Sequence, residues 1–170
     1  TCELFSACNF VDFLKNTLLP EIVEKNIDNL KIWSCASSSG EELYSIAMEI
    51  EEFMLNSKKK IEYSILGTDI STKVLAIAKS GIYKKSILAP VPQMLINKYF
   101  HTNPEDKSTL IVNDMLKKRI KLGTFNLMSK NYNVPGPFNI IFCRNVLIYF
   151  DRSNQQYILK NLIGKLVSGG

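Results

Sequence analysis

The sequence has 170 residues, of which 46% are hydrophobic, and a formal net charge of +5. These values suit one domain with a sizeable core. The basic residues are scattered without interleaved aromatic residues, so we predict no nucleic-acid partner. No apolar run approaches the ~20 residues that span a bilayer, and the start lacks a secretory pattern. We therefore predict no membrane insertion and a cytoplasmic protein. Because the chain begins at Thr1 and ends in Ser168-Gly169-Gly170, we expect a piece truncated at both ends.

The cysteines and the one histidine give no sign of a metal site or a nucleophilic triad. The four cysteines form no CxxC pair and have no histidine at zinc spacing, and they are Cys2, Cys8, Cys35 and Cys143. We expect small buried side chains in a reducing compartment and no bound metal. His101 is predicted to lie in a polar loop, and no Ser-His or Cys-His arrangement can be built around it.

The first two thirds of the chain alternate between helices and strands. Residues 1–29 are predicted to be a helical lead-in, which Pro20 kinks or splits. The strand 30–35 runs into a small-residue loop and then a helix, 41–55, and a second strand, 63–69, is followed by a helix, 71–81. This alternation predicts right-handed βαβ units, a mostly parallel sheet and the α/β class.

The alternation breaks between residues 87 and 119. Prolines and polar residues surround a short predicted helix, Gln93–Tyr99, and the segments "STLIVND" and "KKRIKLGTF" look like two strands joined by a turn or loop. We predict a small inserted β subdomain at about 87–119 within one domain, 30–170. Its last strand, Ile120–Phe125, rejoins the main sheet. The strand "PGPFNIIFCRN" and a helix, 151–166, follow.

Polar side chains follow each strand of the predicted sheet. Ligands of open parallel sheets bind beyond the carboxyl ends of the strands. The residues at those ends are Ser37–Gly40, Glu41, Glu42, Asp69, Asn126, Arg144 and Asn145. In "NIIFCRNVLIYFD" the polar residues mark the junction where the chain leaves the core and faces a ligand. A purely structural interpretation stays open for two of these residues. Arg144 could pair with a carboxylate at the sheet rim, and Asp69 could cap a helix.

The loop after the first strand favours a ligand without phosphate. It contains only Gly40, with serines where a GxGxxG loop has the glycines that let backbone amides approach a pyrophosphate. Asp69 is placed to accept hydrogen bonds from ribose hydroxyls, and acidic residues around the loop tolerate a positive charge. S-adenosylmethionine has adenosine, a sulfonium and an amino acid tail, and fits this pattern.

Four segments resemble a known family: "WSCASSSGEELYSIA", "GTDISTKVLAIAKSGIY", "FNLMSKNYNVPGPF" and "FNIIFCRNVLIYFD". They resemble the CheR-type methyltransferases, which use S-adenosylmethionine to methylate glutamates on bacterial chemotaxis receptors. The resemblance runs from about Ile32 to the C-terminus. It implies a class I methyltransferase, Rossmann-like and doubly wound, with protein-glutamate O-methyltransferase activity in signal transduction. It also implies S-adenosylhomocysteine as product and the cytoplasmic domain of chemoreceptors as partner.

The resemblance also implies roles for individual residues. Two residues are implied to act on the reacting groups, Arg144 as a positioner and Tyr149 as a wall and hydrogen-bond donor. The residues implied to line the cofactor site are Thr1, Glu42, Asp69, Asn126, Leu127, Arg144 and Asn145.

The chain departs from the family pattern at three places. Phe5 stands where members carry an arginine, Leu43 replaces a proline, and "HTNPEDKST" replaces a glycine turn that docks a receptor tether. The missing arginine motivates an alternative, a catalytically impaired regulatory relative that binds S-adenosylmethionine or S-adenosylhomocysteine. A third option is a nicotinamide-dependent oxidoreductase, which the serine-rich loop argues against.

Overall fold

The computed structural model of the protein describes residues 8–168. Two sheets organise these residues, one of four strands and one of three. In chain order the strands are β1 (Asn29–Cys35), β2 (Glu62–Asp69), β3 (Ile82–Lys84), β4 (Phe100–Thr102), β5 (Thr109–Val112), β6 (Ile120–Thr124) and β7 (Ile140–Phe142). The α-helices are α1 (Cys8–Phe13), α2 (Leu19–Glu24), α3 (Glu41–Ser57), α4 (Thr72–Ser80), α5 (Gln93–Tyr99), α6 (Asp114–Lys117) and α7 (Arg152–Ile163).

The larger sheet is parallel throughout and has the strand order β6-β2-β1-β7. Helices cover both of its faces. Ile32 and Trp33 are neighbours on β1 and therefore point to opposite faces; Ile32 packs in the cluster that contains Leu43 of α3, and Trp33 packs in the cluster that contains Ile158 of α7. The predicted doubly wound α/β class is confirmed.

The helical lead-in is divided as Pro20 predicts. A π-helical turn, Leu14–Leu18, separates α1 from α2, and Pro20 lies in the first turn of α2. A proline is tolerated there because the first turn of a helix does not need its missing N–H. Phe10 of α1 meets Phe142 of β7 edge to face, with ring centroids 4.9 Å apart. This contact holds the lead-in against the main sheet.

The smaller sheet is antiparallel, with the order β3-β5-β4. Its first strand, β3, lies before residue 87, where the sequence predicted the insertion to start. This strand has only three residues and directly follows Gly81, where α4 ends. A strand of this length is too short to show a periodic pattern in the sequence. The short helix α6 stands between β5 and β6, where the sequence predicted only a turn or loop, and β6 joins the main sheet as predicted.

The strand predicted in "PGPFNIIFCRN" is short. Only Ile140–Phe142 pairs with β1. After α7 the chain returns beside this strand, and Phe138 forms a parallel bridge with Leu166. Within residues 8–168, no helix is long and apolar enough to cross a membrane.

Candidate functional site

The parallel pairing brings the carboxyl ends of four strands to one edge of the main sheet. Cys35 is level with Thr68, and Asp69 is level with Thr124. The segments that follow the strands therefore lie side by side, in the order of Asn126, Asp69, the loop 36–40 and Arg144. This edge contains the described residues that the sequence analysis placed at strand ends, and we call it the carboxyl edge.

Asp69 connects two backbone segments at the centre of the carboxyl edge. One carboxylate oxygen accepts a hydrogen bond from the Ser38 N–H (2.9 Å), and the other accepts one from the Ser71 N–H (2.9 Å) just before α4. A carboxylate offers about four lone-pair sites. Asp69 therefore both organises the loop and helix start and keeps acceptor capacity for a ligand.

The loop 36–40 is tightly curved between β1 and α3. Ala36 and Ser38 have positive φ angles of 63° and 51°, and Gly40 has a φ of 93°. A Cβ atom added to Gly40 would lie 2.7 Å from the Cβ of Ala78, so only glycine fits this position. The Ser37 hydroxyl is the only buried side-chain polar atom in residues 8–168 without a hydrogen-bond partner.

Glu42 and Arg144 form a partly buried ion pair at the carboxyl edge. Arg144 Nη1 lies 3.2 Å from Glu42 Oε2, and the Ser34 hydroxyl donates to Glu42 Oε1 at 2.7 Å. The Glu42 side chain is only 6% exposed. Burial raises the pKa of Glu42, and the contacts with Ser34 and Arg144 oppose that rise. The guanidinium of Arg144 also lies over the Phe10 ring, 4.4 Å from its centroid.

The remaining predicted residues differ in exposure. Asn126 is exposed, and its side-chain oxygen accepts a hydrogen bond from the Met128 N–H at 2.9 Å. Leu127 is buried in the cluster that contains Trp33. Asn145 is exposed and has a positive φ of 55°. Tyr149 is 80% exposed and ends a 3-10 turn.

Thr1 and Phe5, two positions on which the sequence analysis made predictions, lie outside the described residues. The predicted contribution of Thr1 to the cofactor site and the consequence of Phe5 therefore stay predictions.

Two contributors to the carboxyl edge were not among the predicted site residues, Ser34 and Phe10. Ser34 is a fully buried serine in the apolar strand "LKIWSC", and a polar residue in such a strand signals a buried hydrogen bond. Phe10 has no comparable signal, because an aromatic residue on a helical apolar stripe looks like ordinary core. Its contact with Arg144 joins residues that are far apart in the sequence.

Two cysteines meet beneath the carboxyl edge. Cys35 is buried and donates from its Sγ to the Phe142 carbonyl at 3.0 Å. The neighbouring Cys143 thiol raises the pKa of Cys35, as burial also does. Both thiols are free. In residues 8–168, no three His, Cys, Asp or Glu side chains are grouped to hold a metal ion.

Comparison with known proteins identifies relatives along almost the whole chain. The family model described as "CheR methyltransferase, SAM binding domain" matches residues 2–170. A chemotaxis protein methyltransferase of Borreliella burgdorferi is 39% identical over 155 residues, which cover 89% of this chain and 54% of that protein. One of Salmonella typhimurium is 36% identical over 154 residues, which cover 90% and 53%. The chain thus spans about half the length of these curated relatives.

Solved structures support the fold. Magnesium protoporphyrin IX methyltransferase (ChlM) from Synechocystis PCC 6803, with bound SAH, aligns with a TM-score of 0.51 and 14% identity, covering 93% of this chain and 51% of that one. The glycopeptide N-methyltransferase MtfA, complexed with sinefungin, aligns with a TM-score of 0.50 and 11% identity, covering 92% and 47%. At such low identity the alignments establish the class I methyltransferase fold alone.

Proposed function

The chain belongs to the CheR methyltransferase family and matches the S-adenosylmethionine-binding domain of that family. On that premise we propose that it forms the catalytic domain of a protein-glutamate O-methyltransferase. Its proposed substrates are glutamate side chains in the cytoplasmic domains of chemoreceptors. The observation that carries the proposal is the row of side chains from Asp69 through the loop 36–40 to the Glu42–Arg144 pair. This row stands in a chain whose relatives are named chemotaxis protein methyltransferases.

The carboxyl edge suits S-adenosylmethionine better than a nucleotide with phosphates. A phosphate at the start of α3 would meet two carboxylates, Glu41 and Glu42, in the first turn. A cationic sulfonium and an amino group are compatible with those charges. Asp69 has acceptor sites left for ribose hydroxyls. The assignment of Asn126, Leu127 and Asn145 to the cofactor site is part of the proposal.

Carboxyl methylation requires little acid–base chemistry from the protein. A glutamate side chain with a pKa of about 4.3 is already an ionised nucleophile at neutral pH. When bound, S-adenosylmethionine supplies an activated methyl group, so that the carboxylate oxygen gains the methyl, the C–S bond breaks and its electron pair stays on sulfur. No proton moves in this step. The protein therefore needs to align the reacting atoms and exclude water.

We assign positioning roles on this basis. Arg144 is held by Glu42 and Phe10, so its guanidinium has a fixed direction at the carboxyl edge. Fixed donors of this kind orient a carboxylate without being consumed in the reaction. Charge is neutralised as the methyl moves, so strong stabilisation of either charged reactant would slow the reaction. Tyr149, which is exposed, is assigned to the side that the substrate covers.

Transfer of a labelled methyl group tests this proposal. The full-length protein is incubated with S-adenosylmethionine labelled in its methyl group and with a purified chemoreceptor cytoplasmic domain. We expect label in the receptor as a base-labile ester, and none in a receptor whose methylation-site glutamates are changed to alanine. A full-length protein that binds the cofactor but labels no receptor would refute the assignment.

No observation within residues 8–168 favours the catalytically impaired alternative. That alternative depends on Phe5, which lies outside the described residues. Proteins acting on receptor cytoplasmic domains must share their compartment, so a cytoplasmic location is part of the proposal, and the free thiols of Cys35 and Cys143 are compatible with it. Fractionation of cells that express the full-length protein tests this location.

A further inference from the structure

One side chain of the smaller sheet reaches the loop of the carboxyl edge. Tyr83 lies on β3, and its hydroxyl donates a hydrogen bond of 2.7 Å to the Ser39 carbonyl. Ser39 precedes Gly40, the residue before α3. The two residues are 44 positions apart in the sequence, and Tyr83 lies in the smaller sheet whereas Ser39 follows a strand of the larger one. This bond therefore connects the smaller sheet to the loop 36–40.

The surroundings of Tyr83 hold its hydroxyl in place. Tyr83 is 2% exposed, is level with Leu110 of β5, and packs edge to face with Tyr44, with ring centroids 6.0 Å apart. Burial raises the pKa of Tyr83, so the hydroxyl keeps its proton at neutral pH. A Cβ atom added at Gly40 would lie 3.1 Å from the Tyr83 hydroxyl. Loop and hydroxyl are thus packed in direct contact.

Tyr44 provides an internal comparison. Its hydroxyl also donates to a backbone carbonyl, that of Ala78 in α4, at 2.8 Å. Tyr44 is buried to the same extent as Tyr83 and shares its aromatic contact. The two hydroxyls differ in what they hold, since one holds the loop and the other holds a helix. Removal of either hydroxyl therefore breaks one buried hydrogen bond of similar strength.

We propose that Tyr83 is a positioning residue for the cofactor, because it fixes the Ser39–Gly40 peptide and with it the loop that Asp69 holds from the other side. The proposal rests on the assignment of this loop to the cofactor. It gives the inserted sheet a role in cofactor binding, since the backbone that carries Tyr83 is paired with β5. Tyr83 acts through the loop and need not touch the ligand.

Two phenylalanine variants test the proposal in the full-length protein. We expect Tyr83→Phe to weaken S-adenosylhomocysteine binding by about two- to tenfold in a calorimetric titration, the effect of one hydrogen bond. Tyr44→Phe should lower Tm by about as much as Tyr83→Phe does, but leave the affinity unchanged. A merely structural role for Tyr83 would give both variants the same affinity. Unchanged binding by Tyr83→Phe, or equal losses in both variants, overturns the proposal.

Hydrogen exchange without ligand separates this inference from the function proposed above. We expect faster amide exchange in the peptide that covers residues 36–41 in Tyr83→Phe, and not in Tyr44→Phe. Unchanged exchange would contradict the role of Tyr83 in holding the loop. If exchange is faster but the wild-type protein binds no S-adenosylhomocysteine, then the cofactor assignment fails while the contact stands, and Tyr83 is not a cofactor-positioning residue.

Discussion

The two ends of the parallel sheet contain similar side chains in different surroundings. At the amino end, Arg119 pairs with Glu62 at 2.7 Å, has a longer contact with Glu51 at 3.9 Å, and lies over the Tyr63 ring, 4.8 Å from its centroid. At the carboxyl edge, Arg144 pairs with Glu42 at 3.2 Å and lies over the ring of Phe10. The Glu62 side chain is 77% exposed, whereas that of Glu42 is 6% exposed.

We interpret this difference as one between a structural ion pair and the pair that we propose to act in binding. An exposed pair is stabilised weakly because water screens it. A buried pair carries a desolvation cost that its Coulomb attraction does not always recover, so it is a poor device for stability alone. The carboxyl edge keeps such a pair where the strand ends meet, as expected of a pair retained for binding and orientation.

Truncation of the two arginines should give the largest difference between the two ends. Arg144→Ala leaves Glu42 buried without its cation, and we expect a loss of about 3 kcal/mol in the free energy of unfolding. Arg119→Ala removes the exposed pair with Glu62, a longer contact with Glu51 at 3.9 Å and a ring contact, and should cost about 1 kcal/mol. Urea unfolding of both variants at pH 7 measures this, with methyl transfer lost only in Arg144→Ala. Equal losses of stability would mean that the two pairs are equivalent.

Truncation of a carboxylate at each end should separate affinity from stability. We expect Asp69→Ala to weaken S-adenosylhomocysteine binding by about 1–3 kcal/mol, because ribose hydroxyls and the Ser38 N–H lose their acceptor. The matched variant at the amino end is Glu51→Ala, which deprives the Tyr63 hydroxyl of its acceptor. It should lower Tm without changing the affinity. Unchanged calorimetric affinity in Asp69→Ala would contradict the placement of the ribose.

The buried carboxylate of Glu42 should make stability depend on pH. Burial raises the pKa of Glu42 in the folded state, so between the unfolded value, about 4.3, and this raised value the folded protein binds more protons than the unfolded chain. Stability contributed by Glu42 is therefore fully present below the unfolded pKa and falls as pH rises through this window.

Glu42→Gln removes this titration. We expect the difference in unfolding free energy, wild type minus Glu42→Gln, to fall with rising pH in this window and then to level off. Ser34→Ala should extend the fall to higher pH, because the Ser34 hydroxyl lowers the pKa of Glu42. Urea unfolding from pH 4 to 8 measures both. A difference that is independent of pH would show that the carboxylate titrates normally.

The sequence distinguishes the two arginines through their neighbours. Arg144 interrupts an apolar run, which indicates a junction between core and ligand, whereas Arg119 follows two lysines in a run typical of a solvated face. The hydrophobic pattern of the sequence also predicts the strands β1, β2 and β6 and the helix α5. It does not predict the strand β3 and the helix α6, because three or four residues are too few for periodicity to show.

The contacts that complete the carboxyl edge could not be predicted in the same way. The ring of Phe10 over Arg144 and the hydroxyl of Tyr83 on the loop 36–40 depend on where the lead-in and the inserted sheet pack. Such long-range contacts follow from the whole topology rather than from a local pattern. The sequence therefore predicts which residues stand at the strand ends, and only the structure identifies what holds them there.

Removal of a tyrosine hydroxyl at either end of the sheet should have the smallest effect, and it should change either stability or kcat but not both. Tyr63 is buried and donates to Glu51 at 2.8 Å, whereas Tyr149 is 80% exposed. Tyr149→Phe should change the free energy of unfolding by less than about 0.5 kcal/mol. Because a donor to the reacting groups would be lost, we expect kcat for methyl transfer to fall by about two- to tenfold.

Tyr63→Phe should show the reverse, with lower stability and an unchanged kcat. Steady-state methylation assays and urea unfolding of both variants make the comparison. If Tyr149→Phe keeps the wild-type kcat, then the Tyr149 hydroxyl takes no part in the reaction, and only the aromatic ring remains as a wall at the carboxyl edge. Tyr149→Ala, which removes that wall, then distinguishes a contribution of the ring from none.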